Sequence, residues 1–424
     1  MGMRVDENGN WRSFRHRNYR ILFPANAVSN IGSWAQRIAQ DWLVLELTNN
    51  SGYYLGLVTA IQFAPFLLFT LHGGLLADRV NKRLALVVTN TFGGLSALVL
   101  GLLVLSGNIE LWHVFACAAV LGVSGAIDAP IRQSFTSEIV GHADLANAVS
   151  LNSANFNAGR LIGPTVSGFL IAHFGTGPSF IINAFSYVAV NIALLSMRES
   201  EFFRRETKKT LGTIREGLAC VRARPDLYVL MIAVFFAATF GLNFQIFNAL
   251  MARGEFNKGP ASFGQLGTFI AVGSLSGALI SARFEKQRNT IFVIKAGTLF
   301  SLSILVLSVM PTYGFYAAWL PLCGFSALTM LISANSLVQM HSDPAIRGRI
   351  TGIYLLIFMG GTPFGSLAIG YLVEAIGVRE SVAVCGGISL IGMLVIWVYY
   401  KDKVGVPSDI TVEGVLPANY DDPR

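Results

Sequence analysis

The sequence predicts an all-α polytopic membrane protein with twelve transmembrane helices, on three observations. Hydrophobic residues make up 53% of the 424 and charged residues only 13%, a balance that would leave a water-soluble chain of this size short of polar surface. The apolar residues fall in blocks of about 20, the length a helix needs to cross a hydrocarbon core of roughly 30 Å, without the strand-length alternation of a membrane barrel. Lysine and arginine gather in every second loop.

Apolar windows bounded by charged, Gly or Pro clusters place helices at 19–46, 53–76, 84–105, 112–138, 146–173 and 179–197. A second six follow at 228–250, 263–283, 292–310, 315–340, 349–373 and 381–400. The basic stretch from Arg12 to Arg20 runs into an apolar segment that passes Leu45 without a small-residue cleavage region, so it reads as an uncleaved first helix. With the N-terminus inside, 25 of the 31 lysines and arginines lie in cytoplasmic segments or the adjoining cytoplasmic ends of spans, three (Arg253, Lys258, Arg379) lie outside, and three (Arg37, Arg160, Lys295) lie deeper within spans. Both termini are therefore expected in the cytoplasm, in a bacterial inner or plasma membrane. The net charge of +7 is then an orientation signal and calls for no nucleic acid.

The expected organisation is a cytoplasmic segment at 1–18, a six-helix bundle at 19–197, a linker at 198–227, a second bundle at 228–400 and a cytoplasmic tail at 401–424. The linker spaces Leu211, Ile214, Leu218 and Val221 helically, with Arg215 and Arg222 nearby, as in a helix lying on the inner membrane surface. At an offset near 203 residues the chain matches itself in order. The segment Gly73-Gly74-Leu75-Leu76-Ala77-Asp78-Arg79 aligns with Gly277-Ala278-Leu279-Ile280-Ser281-Ala282-Arg283, and the segment beginning Gly168-Phe169-Leu170 aligns with the one beginning Gly370-Tyr371-Leu372. Two fused six-helix halves leave such a trace.

The loop from Gly74 through Asp78, Arg79, Asn81, Lys82 and Arg83 resembles the major facilitator superfamily signature G-x-x-x-D-R-x-G-R-R. Asn81 stands where the signature has Gly, and Asn also tolerates a left-handed turn. The resemblance implies two pseudo-symmetric six-helix bundles and a conformational latch made of Gly74, Asp78, Arg79, Lys82 and Arg83, with Arg132 and Glu138 on the facing helix. In helix five, Gly159-Arg160-Leu161-Ile162-Gly163-Pro164 followed by Ser167-Gly168 resembles the antiporter pattern G-x-x-x-G-P-x-x-G-G. Its small residues permit close backbone approach and its proline a bend, as a rocking interface needs. Asp128-Ala129-Pro130, Asn147-Ala148-Val149-Ser150, Arg160 and Arg347-Gly348-Arg349 are similar to the secretion-type efflux branch that includes the enterobactin exporter. The resemblance implies an exporter of small amphipathic molecules acting as a monomer, with no cofactor.

Ionisable groups within spans are costly and face a cavity or a partner. Arg37 and Asp41 are spaced i, i+4 in helix one, on one helical face. Asp128 and Arg160 reach within roughly 6 Å of the same depth, which suggests mutual pairing, either as a fixed tie or with a part in transport. These four are the proton-coupling candidates, Asp41 otherwise being an acid near the outer surface. A largely apolar cavity needs a few polar groups, and the candidates are Trp34, Gln62, Asn152, Asn155, Asn243, Gln245, Asn335 and Gln339.

The sequence carries no nucleophile elbow, no phosphate-binding loop and no metal-ligand spacing among its six histidines and four separated cysteines. No enzyme or nucleotide-driven pump is expected. An ion gradient, with protons as the coupling ion, is the expected energy source. A lipid or lysolipid flippase and a nutrient uptake transporter are the alternatives.

Overall fold

A computed structural model describes residues 11–77, 80–203, 214–283, 288–342 and 347–403. Among these, ten helical stretches are long and apolar enough to cross a membrane. One of them, Leu111–Phe174, has 64 residues and would reach about 96 Å if straight. It breaks at Gly141, whose φ of 69° a residue with a Cβ would adopt only under strain, and so makes two crossings. The helix Arg17–Leu47, with Arg37, Asp41 and Glu46 among its apolar residues, completes twelve.

We number the spans α1 (Arg17–Leu47), α2 (Gly52–Ala77), α3 (Lys82–Leu105), α4 (111–140), α5 (142–174), α6 (Gly177–Leu195), α7 (Pro225–Glu255), α8 (Pro260–Arg283), α9 (Thr290–Ser308), α10 (Tyr313–Met340), α11 (347–376) and α12 (Val378–Lys403). Boundaries agree with the sequence reading to within a few residues because caps and turns end the helices where the polarity changes. Asn289 accepts a hydrogen bond from the Phe292 N–H at 2.8 Å, and Thr312 likewise caps α10. Asn81 departs from the expectation of a left-handed turn: its φ is −66°, and its side chain caps α3 by accepting the Leu84 N–H at 3.1 Å. The cap gives Asn a use at this position that needs no positive φ.

Span α7 was expected as a single regular helix. Instead it carries wide turns at Ala237–Gly241 and Met251–Glu255, which interrupt the i to i−4 ladder on both sides of Asn243 and Gln245. A short helix at Ile214–Ala223 occupies the linker. Its Gly217 packs against Arg349 and Ile353 of α11, and Val221 is buried, so this helix docks on protein as well as carrying a polar face. Leu211, part of the expected amphipathic stretch, lies outside the described residues.

The larger apolar core is continuous across the two halves, from Trp42 and Leu55 to Phe247 and Phe263. Tyr19, Leu86, Ile131, Phe135 and Leu194 form one cluster at the end of the first half that bears the N-terminal turn. That end is called proximal below, and the end bearing the α1–α2 loop distal. At the proximal end Asp144 is gripped by Arg15 and His16, each at 2.7 Å, and by Arg12 at 3.4 Å.

Candidate functional site

The two halves meet at the distal end through two contacts built alike. In one, α8 lies on α5, with Gly264 facing the Pro164 carbonyl and the Gly168 backbone. In the other, α2 lies on α11, with Gly56 facing the Ser366 carbonyl and the Gly370 backbone. At either glycine a methyl group would overlap the opposing carbonyl oxygen; absence of a side chain is what allows the backbones to close. Gly168 and Gly370, aligned by the internal repeat, thus occupy equivalent places, as a pseudo-two-fold axis requires. Polar ties reinforce both contacts. Thr165 and Thr268 hydroxyls lie 2.5 Å apart, and the Ser51 hydroxyl donates to Glu374 Oε1 at 2.6 Å.

The antiporter-like motif of α5 proves to be two-sided. Gly159 packs on Asn30 and Gly163 on Trp34 and Ile31, all in α1 of the same half, whereas Pro164 and Gly168 face α8 across the boundary. One helix is therefore fixed to its own bundle by one pair of positions and touches the other bundle by the next.

Towards the proximal end, a cavity of about 300 Å³ opens in the first half among α1, α3, α4, α5 and α6. Asn152, Asn155 and Phe156 line it, together with Asp128 and Arg132. Asn152 accepts the Tyr19 hydroxyl at 3.1 Å, and Asn155 donates to the Phe23 carbonyl at 3.4 Å. These amides are held in place by α1 and leave the cavity wall polar.

Asp128 does not pair with Arg160. Arg132, one turn along the same helix, takes both of its oxygens, at 2.7 and 2.8 Å, and Thr89 donates to it at 3.0 Å. Arg132 also donates to Asn26 on α1 at 3.0 Å. Similar depth misled the pairing because depth ignores azimuth. Docking of Gly159 and Gly163 on α1 turns Arg160 towards Trp34, 5.8 Å from its ring centroid. The i, i+4 spacing of Asp128 and Arg132 was the signal available in the sequence; no pattern of residues pointed to Thr89 or Asn26.

Arg37 and Asp41 share a helical face but form no ion pair within 4 Å. Arg37 turns to the aromatic groups instead, 5.0 Å from the Trp34 ring and 5.4 Å from that of Phe63 on α2. Asp41 is 3% exposed, which removes it from the outer surface, and its Oδ2 has no hydrogen-bond partner among the described residues. Gln245 of α7 faces it from the other half, its own Nε2 without a partner. Close by, Trp42 donates to Glu46 at 2.7 Å and lies beneath Arg253 of α7, 4.8 Å from the ring.

The remaining polar candidates disperse. Gln62 accepts from Gln40 at 3.1 Å between α2 and α1. Asn243 donates back to the Thr239 carbonyl at 2.8 Å, where the ladder of α7 is broken. Asn335 and Gln339 bond to each other at 3.3 Å along α10.

Of the latch residues, Asp78 and Arg79 and the side-chain surroundings of Gly74 lie outside the described residues. Lys82 binds Glu138 at 2.5 Å, and Arg83 binds Glu199 at 3.3 Å and the Leu195 carbonyl at 2.6 Å. Together with Asp128–Arg132 these pairs brace α3, α4 and α6 within the first half.

Residues 8–409 match the family described as transmembrane secretion effector. The chain belongs to this family. It is a membrane transporter of the major facilitator superfamily and not an enzyme. Among curated relatives of this secretion effector are the multidrug efflux pump Tap of Mycolicibacterium fortuitum, 24% identical over 85% of this chain and 90% of the pump, and the staphyloferrin A transporter of Staphylococcus aureus, 19% identical over 93% and 99%. The enterobactin exporter of Shigella flexneri is 22% identical over 90% and 92%. Solved structures share the fold: a bacterial homologue of the lysosomal transporter Spinster, inward-facing and unoccupied, superposes with a TM-score of 0.72 at 14% identity, covering 91% of this chain and 98% of that one. A D-xylose–proton symporter superposes with a TM-score of 0.72 at 13% identity over 91% and 98%.

Proposed function

We propose that this secretion effector exports small amphipathic molecules by alternating access, in exchange for protons. The observation that carries the reading is the pair of symmetry-related glycine contacts at the distal end, with a polar cavity at the proximal end. Two bundles, 19–197 and 228–400, rock about mid-membrane and are tethered by the linker 198–227. The distribution of lysine and arginine puts the proximal end in the cytoplasm, which makes this arrangement the inward-facing state. The multidrug efflux pump and the enterobactin exporter support the direction, and drugs, staphyloferrin A and enterobactin, named in the relatives, set the range of compounds to screen.

Asp41 is the stronger candidate for the coupled proton. A coupling carboxylate must change its surroundings as the halves move, and Asp41 faces Gln245 of the other half, whereas Asp128 is neutralised by Arg132 inside its own half. In inverted vesicles with an imposed pH gradient, Asp41→Asn should lose gradient-driven accumulation of a transported dye while keeping substrate exchange. Accumulation at the wild-type level would remove the role from Asp41.

Orientation is tested separately. A cysteine at the exposed Ser200 should stay unmodified by an impermeant maleimide added to intact cells and react once they are opened. Labelling from outside would reverse the topology.

One observation favours a lipidic cargo as a second reading. An apolar groove between α3 and α4, about 640 Å³, is separated from the Asp128 cavity by Thr89 and Ser124, which line both. Translocation of a fluorescent lysolipid, unaffected by soluble compounds in the same vesicles, would select that reading.

A further inference from the structure

We propose that Arg37 and Arg160, gathered on the ring of Trp34, bind an anionic group of the cargo, so that the transported class is aromatic or amphipathic organic anions. The inference rests on the transporter reading and adds the charge of the substrate to it.

Charge is unbalanced around Trp34. A guanidinium within a span normally has a carboxylate partner or a water-filled cavity. Arg132 has Asp128, but Arg37 and Arg160 have no carboxylate within 4 Å and no hydrogen bond among the described residues. Asp41, one turn beyond Arg37, keeps an oxygen of its own without a partner. Both arginines lie within 6 Å of the same indole centroid, at 5.0 and 5.8 Å. An aromatic face compensates a cation only in part, and two like charges beside one ring repel. An anion set between them relieves the repulsion and supplies acceptors for both planar forks.

Their placement suits a cargo. Arg37 lies one helical turn before Asp41, which faces Gln245 of the other half, so Arg37 sits on the side of α1 turned towards the other bundle. Both arginines are partly exposed. Phe156, which lines the proximal cavity and is 49% exposed, meets the Trp34 ring at 5.7 Å. A molecule entering by that cavity would reach an aromatic shelf with two cations at its far edge. The glycines at 159 and 163 are what hold Arg160 there, so the same motif that permits the helix packing also presents the charge.

The test uses the full chain in lipid nanodiscs and two isosteric probes, 2-naphthoate and the uncharged 2-naphthamide, with binding followed by calorimetry. Naphthoate should bind at least about tenfold more tightly than the amide, the scale of a charge-assisted hydrogen bond. Arg37→Gln and Arg160→Gln should each remove that preference, and Arg160→Lys should keep part of it; thermal unfolding of each variant checks that it is folded. Equal affinities for the two probes in the wild type, or a preference that survives in folded Arg37→Gln and Arg160→Gln, would overturn the proposal. Binding is read here without transport, so proton-driven export of a cationic dye together with charge-blind binding would refute this inference and leave the exporter reading standing.

Discussion

Replacing Gly264 by leucine is expected to abolish net transport, by at least about tenfold, while leaving the protein abundant and folded. The substitution places a side chain where the Pro164 carbonyl and the Gly168 backbone now touch α8. Overpacking of a close contact costs about 1–3 kcal/mol, and here the cost falls only on the state in which the distal contact is closed. A difference of that size displaces a two-state equilibrium by roughly 5-fold to 150-fold. Gly56→Leu should act in the same way through Ser366 and Gly370, because the two contacts are related by symmetry. A cysteine in place of Thr268, which now meets Thr165, reports the change: its labelling by an impermeant maleimide from outside should be faster in the Gly264→Leu background. Unchanged labelling and unchanged turnover would mean that these contacts do not form the distal closure.

The second large effect concerns Asp128 and Arg132. Asp128→Asn and Arg132→Gln should each lower stability by about 1–3 kcal/mol, since either one leaves a half-buried charge on the cavity wall without its bidentate partner. The double variant should recover most of the loss. A double-mutant cycle on unfolding in detergent measures the coupling, and strictly additive losses would show that the bidentate contact contributes nothing. Arg160→Gln, combined with Asp128→Asn, should behave additively, because the two side chains belong to different faces.

What the sequence made legible follows from which physical constraint is local. Helix ends were readable because Asn289 and Thr312 cap with their own side chains, and because polarity changes within a residue or two of each turn. The close contacts between halves were readable in part, since Gly168 and Gly370 recur at one offset and small residues in a span have few other uses. Azimuth was not readable. Asp128 and Arg160 lie at similar depth, yet the docking of Gly159 and Gly163 on α1 rotates one away from the other. The i, i+4 relation of Arg37 to Asp41 did not foretell that Trp34 and Phe63 would draw the guanidinium to the aromatic side. Nor did the apolar pattern of α7 disclose its two wide turns, because π-type turns change the hydrogen-bond ladder without changing composition. The signature loop was recognisable from its residues, but its bonds to Glu138 and Glu199 depend on how α3, α4 and α6 assemble.

Alternating access requires the two bundles to exchange closure at one end for closure at the other. Spin-label pairs measure this directly in the full chain in nanodiscs: cysteines replacing Asn50 and Glu380 report on the distal end, and cysteines replacing Ala143 and Met340 on the proximal end. Both pairs place one label on each half. Two populations with opposite behaviour are expected, the distal distance lengthening as the proximal one shortens, with the balance shifted by Gly264→Leu towards the long distal distance. A single distance at each end that neither pH, cargo nor Gly264→Leu changes would contradict alternating access.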